Sequence, residues 1–373
     1  MLLQWHITER CNLRCAHCYQ QAPAAAELPL PELLGILHQF NQLLDSIAPN
    51  ARGHVTVTGG EPFLRPDFLD LLEALASEKP RIGFAILTNG AFIDAPMAHR
   101  LRKLGPRFVQ VSVEGAQATH DSIRGAGDFD RTVAAIRHLV REHVPTFISF
   151  TAHCLNYREF PEVARLARRL HATRVWADRL IPVGRGAAFH FLTPAQTREF
   201  IALMRSARDR FAGGWFRRTE VPLHRALQFL ETGGQPYHCT AGDTLLAIQA
   251  NGDLYPCRRM PIRAGNVLET PLAELYRENP LLRALRDPAR SRQGCENCRF
   301  AAQCRGGLRC LAYAVTGDPF HARSRLLARR LQRDPHILTR PSAASSHRAL
   351  GEEKSRRYCD FALAAFASPD SLC

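Results

Sequence analysis

Through the first 190 residues, apolar positions switch repeatedly between a short-run pattern and a three-and-four spacing. Residues 3–8 read as a strand. Leu30 to Ile47 places Leu33, Leu34, Leu37, Phe40, Leu44 and Ile47 on one helical face. Paired signals follow. The strand Val55–Thr58 precedes a helix from Pro66 to Ala76, and Ile82–Leu87 one from Pro96 to Leu104. Phe108–Val113 precedes Asp130 to Arg141, and Phe147–Ala152 precedes Glu159 to Leu170. Arg174 to Ile181 is the last strand of the series. Strands alternating with helices predict an α/β chain with a parallel sheet and crossover helices. Its working residues belong on the loops leaving the C-terminal strand ends.

The pattern then breaks. After a helix starting near Pro194, Gly213-Gly214 and Gly233-Gly234 punctuate an irregular stretch. Leu245–Gln249 and Leu254-Tyr255 flank Asn251-Gly252, the favoured dipeptide of a tight β-hairpin. Residues 320–357 are basic around Ser342–Ser346 and read as poorly packed. Four segments are expected: a β/α unit over 1–190, a helical linker over 191–235, a small hairpin-bearing domain over 236–319 and a basic tail over 320–373.

Composition narrows the class without naming it. Of 373 residues, 46% are hydrophobic and 8% aromatic, an ordinary balance for a chain that buries a large core. No stretch approaches the roughly 18 apolar residues of a membrane span. The N-terminus lacks the basic and apolar regions of a signal peptide, so a cytoplasmic location is expected, with no membrane partner. The net charge of +14 is mostly arginine spread over helices, as in Arg165–Arg169. Without a helix-turn-helix or a basic-aromatic strip, nucleic acid is not the expected partner.

Cysteine changes the picture. Eleven of twelve lie in motif-like loops or after residue 238, and only Cys154 stands alone in mid-chain. Reducing compartments disfavour disulfides, so clustering of this kind argues for metal. Cys11, Cys15 and Cys18 share one short loop, and three thiolates can hold three irons of a [4Fe–4S] cubane while leaving the fourth for a small molecule. A zinc site completed by His17 is disfavoured, because His17 lies inside the Cys15–Cys18 turn and could hardly close the same tetrahedron.

Ile7–Tyr19 resembles the CxxxCxxC loop of the radical S-adenosylmethionine (SAM) superfamily. The resemblance implies a partial (β/α)6 TIM-like barrel whose open iron binds SAM, and whose reductive cleavage of SAM releases a 5′-deoxyadenosyl radical. Gly59-Gly60-Glu61-Pro62 matches the family's GGEP motif, which holds the SAM amino group, and Thr88-Asn89-Gly90 matches its TNG element. Ser112 and Glu114 stand where related chains contact ribose or methionyl groups, though Asp is common at the latter position. Arg124 matches a family arginine near the substrate end of the barrel, and the backbone around Val183 would face the adenine.

The later cysteines resemble the SPASM domain, which carries auxiliary [4Fe–4S] clusters. Gly252-x4-Cys257 and Cys295-x2-Cys298-x5-Cys304 match its pattern. The resemblance assigns Cys239, Cys257 and Cys310 to one cluster and Cys295, Cys298 and Cys304 to another. Two departures stand out. Leu308 occupies a usual ligand position with Cys310 displaced by two residues, and no cysteine follows until Cys359. One auxiliary site is therefore either incomplete or closed by Cys359 or Cys373, giving one or two auxiliary clusters.

Trp5–Cys15 looks most like enzymes that modify ribosomally made peptides or proteins by cross-linking, thioether formation or epimerisation. An electron donor such as flavodoxin or ferredoxin is implied. So is an oxygen-poor setting. Cys11 lies near the start, so a separate leader-binding protein is expected. The alternatives are modification of a tetrapyrrole side chain in haem or haem d1 synthesis and a non-enzymatic zinc- or cluster-binding protein. The GGEP match weighs against the latter.

Overall fold

In a computed structural model, described for residues 1–20, 27–211, 219–223, 228, 237–290 and 300–321, the β/α alternation forms one open sheet. The strands are β1 (Leu2–His6), β2 (Gly53–Thr58), β3 (Ile82–Thr88), β4 (Val109–Ser112), β5 (Thr146–Ala152) and β6 (Arg174–Arg179), each paired in parallel with the next. The helices between them are α1 (Leu30–Ile47), α2 (Phe68–Ser77), α3 (Ala95–Leu104), α4 (Gln117–Arg124), α5 (Asp128–Arg141) and α6 (Phe160–Arg169). α1 buries Leu33, Ile36, Leu37, Phe40, Leu43 and Leu44, whereas Leu34 and Ile47, expected on the same face, are exposed. α2 starts two residues later than expected, because Glu61 caps a short 3₁₀ turn over Pro62–Leu64. α4 was not foreseen; at eight residues with only His120 and Ile123 buried, it has too few apolar positions to show a period.

The sheet does not stop at the expected domain boundary. After α7 (Pro194–Phe211), β7 (Leu245–Ile248) pairs in parallel with β1. β8 (Asp253–Tyr255) and β9 (Gly265–Asn266) follow antiparallel, giving the order β6-β5-β4-β3-β2-β1-β7-β8-β9. The hairpin turn forms as its sequence predicts, with Gly252 at φ +85°. The cysteine-bearing segment thus extends the barrel sheet, and one continuous buried cluster runs from Leu3 through Leu246 to Leu311. Among the described residues no helix is long and apolar enough to cross a membrane. Cys295, Cys298, Cys359 and Cys373, with the basic stretch after His321, lie outside the described residues.

Candidate active site

Beyond His6 the chain leaves β1 and enters the loop bearing Cys11, Cys15 and Cys18, all three of which line a cavity of about 750 Å³ at the C-terminal ends of the strands. Three neighbours hold this loop. The Ala16 N–H donates to the Ile123 carbonyl at 2.8 Å, and the Gly186 N–H donates to that of Cys18 at 3.0 Å. Asn89 Nδ2 donates to Asn12 Oδ1 at 2.8 Å. Two glycines make the approach possible. A Cβ on Gly60 would lie 2.1 Å from the Arg10 carbonyl oxygen. Gly184, at φ +59°, would put one 2.5 Å from that of Tyr19.

Beneath the loop lies a buried charge group. Glu114 Oε1 accepts from Arg124 Nη2 at 2.7 Å and sits 3.2 Å from His17 Nε2. Its Oε2 accepts from the Thr151 N–H at 3.0 Å. Burial alone would push the Glu114 carboxyl up, but the charges of His17 and Arg124 outweigh it and hold the group well below the usual carboxylate range. Glu114 is therefore not on the cavity wall; it fixes Arg124, which is. Arg124 Nε and His17 Nδ1 are buried without hydrogen-bond partners.

Glu61 is likewise turned away from the cavity. Its carboxylate accepts from Thr88 Oγ1 and the Asn89 N–H, both at 2.8 Å, and from the Phe63 N–H at 3.3 Å. Burial still raises it to about 7, against the pull of those donors. Gly59, Gly60, Asn89, Ser112 and Arg124 reach the cavity, whereas Glu61, Pro62, Glu114 and Val183 do not. At the Val183 position its neighbours Ile181 and Gly184 line the wall instead.

Several lining residues escaped the sequence reading. Gln110 on β4, Ser149 and Thr151 on β5, and Trp176 and Asp178 on β6 face the cavity beside the expected Ser112. Their signal was present as polar residues two apart in otherwise apolar strands. Register aligns Ser112 with Ser149 and Ser149 with Trp176, and Trp176 Nε1 donates to Gln110 Oε1 at 2.6 Å.

Among the described residues no three His, Cys, Asp or Glu side chains converge on a single metal-ion position. In a cubane each thiolate takes a different iron, so three thiols on one loop leave the fourth iron open. The Cys11 and Cys15 thiols are raised by burial, so loading a cluster must displace their protons. Farther along, Cys239, Cys257 and Cys310 act on one another electrostatically around Arg259, and burial pushes Cys310 up to about 12. The thiol set and the glycine cradle fit cluster binding at the first site, and the Cys239, Cys257 and Cys310 group fits it at the second. Leu308 is buried in the core and cannot supply a ligand.

Two buried imidazoles near the site make stability pH-dependent. Burial, then repulsion from Arg258, lowers His6 to about 3, and burial, then repulsion from His17, does the same for His153. The unfolded chain takes up these protons near 6.5 and the folded chain only near 3, so this stability is complete above 6.5 and is lost as pH falls toward 3. Denaturant midpoints should drop between pH 7.5 and 5, and His153→Gln should remove about one proton from the slope. An unchanged slope in that variant would count against the assignment.

Two family models match the chain: the radical SAM superfamily over residues 5–167 and the SPASM iron–sulfur cluster-binding domain over residues 239–304. The mycofactocin maturase MftC of Mycobacterium tuberculosis is 30% identical over 321 residues, covering 83% of this chain and 78% of that protein. The AdoMet-dependent heme synthase of Methanosarcina barkeri is 28% identical over 355 residues, covering 91% and 97%. Among solved structures, Streptococcus suis SuiB bound to its precursor peptide SuiA superposes with a TM-score of 0.69 at 18% identity, covering 86% of this chain and 74% of that one.

Proposed function

The chain belongs to the radical SAM superfamily and carries a SPASM-type cluster-binding domain, and from that premise we propose that it oxidatively modifies a peptide whose reacting side chain enters the cavity. When bound, the cluster on Cys11, Cys15 and Cys18 supplies the electron that cleaves SAM to a hydrogen-abstracting radical, and auxiliary iron–sulfur groups take up the electron left when a new bond closes.

This chain's own residues do the positioning. Glu114 holds Arg124 and His17 under the cysteine loop, and Asn89 holds Asn12. The polar side chains of β4, β5 and β6 line the cavity, and Phe150 and Leu180 add apolar surface to it.

The observation that carries the peptide reading is the size of the cavity. About 750 Å³ falls within the roughly 300–1,000 Å³ of a site for one small ligand. It must hold a cluster and SAM, so what remains suits one side chain, with the rest of the substrate outside. The relation to a maturase supports the same reading. A tetrapyrrole side chain is the second reading, favoured by the arginines that line the cavity and by the relation to a heme synthase.

Anaerobic co-expression with short reading frames neighbouring the gene tests the choice by mass spectrometry. A peptide product should be lighter by about two mass units per cross-link, or unchanged in mass with solvent deuterium taken up where a centre inverts. Turnover of a porphyrinoid with every neighbouring peptide untouched would replace the peptide reading with the second.

A further inference from the structure

Six arginines line the cavity, Arg14, Arg124, Arg179, Arg185, Arg258 and Arg259, against two carboxylates, Glu9 and Asp178. Glu114, behind the wall, answers Arg124. Among the described lining residues Asp178 is the carboxylate beside Arg179 and Arg259, and the Cys257 and Cys310 thiols also lie near Arg259. Asp178 Oδ2 accepts from Arg259 Nη2 at 3.1 Å, and its Oδ1 accepts from the backbone N–H of Arg179 at 2.8 Å.

Two guanidinia are therefore left over. Arg179 is 8% exposed, and its guanidinium makes no hydrogen bond or ion pair among the described residues. Burial lowers its pKa, with the neighbouring Arg259 adding to the effect. The Arg258 guanidinium lies over the Tyr19 ring at 5.6 Å, and its Nε is buried without a partner. Keeping cations in such surroundings is unfavourable unless an anion arrives. A guanidinium fork matches a carboxylate through two parallel hydrogen bonds.

We propose that this end of the cavity receives a carboxylate of the substrate, gripped by Arg179 and Arg258, with Arg259 held behind them by Asp178. This rests on the reading that the substrate's reacting group enters the cavity. The carboxylate comes either from a peptide, as a terminus or acidic side chain, or from a tetrapyrrole propionate. The rival occupant is the auxiliary cluster itself, because Cys310 also acts on Arg179 and Arg259.

The test uses full-length, cluster-loaded protein with SAM saturating and no reductant, so that the SAM carboxylate is already accommodated. Calorimetry compares four probes: coproporphyrin III, its tetramethyl ester, a short glutamate-containing peptide with a free C-terminus, and that peptide with every carboxyl amidated. In at least one pair the acid should bind about tenfold tighter than its neutral form. Arg179→Gln and Arg258→Gln should each cut that preference to under about threefold, with Arg258→Lys in between. Iron content and circular dichroism identify any variant that fails to fold, and half-buried Arg258 is the safer of the two sites.

Equal binding of acid and neutral forms in both pairs overturns the proposal. So does a preference that survives both substitutions, and so does loss of auxiliary iron in the glutamine variants with no acid preference in the wild type. A preference confined to the porphyrin pair leaves the proposal standing and overturns the peptide reading.

Discussion

Alanine at Cys11, Cys15 and Cys18 together should abolish reductive cleavage of SAM to 5′-deoxyadenosine while iron bound after residue 238 stays in place. The three thiols share one loop on the cavity wall, and among the described residues no other cysteine lines that cavity. The Cys239, Cys257 and Cys310 group is built on the hairpin and on the helix Arg309–Thr316, elements that hold their own hydrophobic contacts with the core. Reconstituted wild-type protein should hold about twelve irons if both auxiliary sites fill and about eight if one does; the triple variant should lose about four. Elemental analysis and chromatography of 5′-deoxyadenosine read both quantities. Continued nucleoside formation in the variant, or a wild type holding only about four irons, would sink the assignment.

Glu114→Ala should destabilise the metal-free protein by about 3–5 kcal/mol, because it leaves the buried Arg124 guanidinium without its anion. The side chains of Glu114 and Arg124 are 1% and 9% exposed, so water cannot take over the lost contact. Loss of the Thr151 N–H and His17 partners adds to the effect. Glu114→Gln keeps the shape and one acceptor and should fall between the two. Glu114→Ala combined with Arg124→Met should recover much of the loss, since removing both charges is far milder than stranding one. Urea midpoints decide the matter. A loss below about 1 kcal/mol in the single variant would mean that Arg124 finds another partner.

The expected architecture emerged because its signals are local. Six strands alternating with helices carry their own period, and their boundaries moved by no more than about two residues, as at α2, which follows the turn that Glu61 caps. The cysteine loop and the Gly-Gly turn were equally legible, since both are contiguous and chemically distinctive. α4 was not, because a short polar helix has no apolar stripe to declare it.

Roles that depend on which way a side chain turns were not legible either. Glu61 and Glu114 sit in motif positions next to the cavity, yet both carboxylates point into protein donors. Backbone geometry and buried hydrogen bonding choose that direction, and neither is written at one position of the chain.

The sequence by itself determined the class of chemistry, the parallel β/α order and the loops that carry the site, because periodicity and thiol spacing act over a few residues. Only the tertiary structure decided that β7 joins β1 and makes one sheet of the two cysteine regions. It also decided that Arg179 on β6 and Arg258 after the hairpin line one cavity, with Asp178 holding Arg259. Such juxtapositions arise from packing between segments far apart in the chain, where long-range burial rather than local preference selects the neighbour.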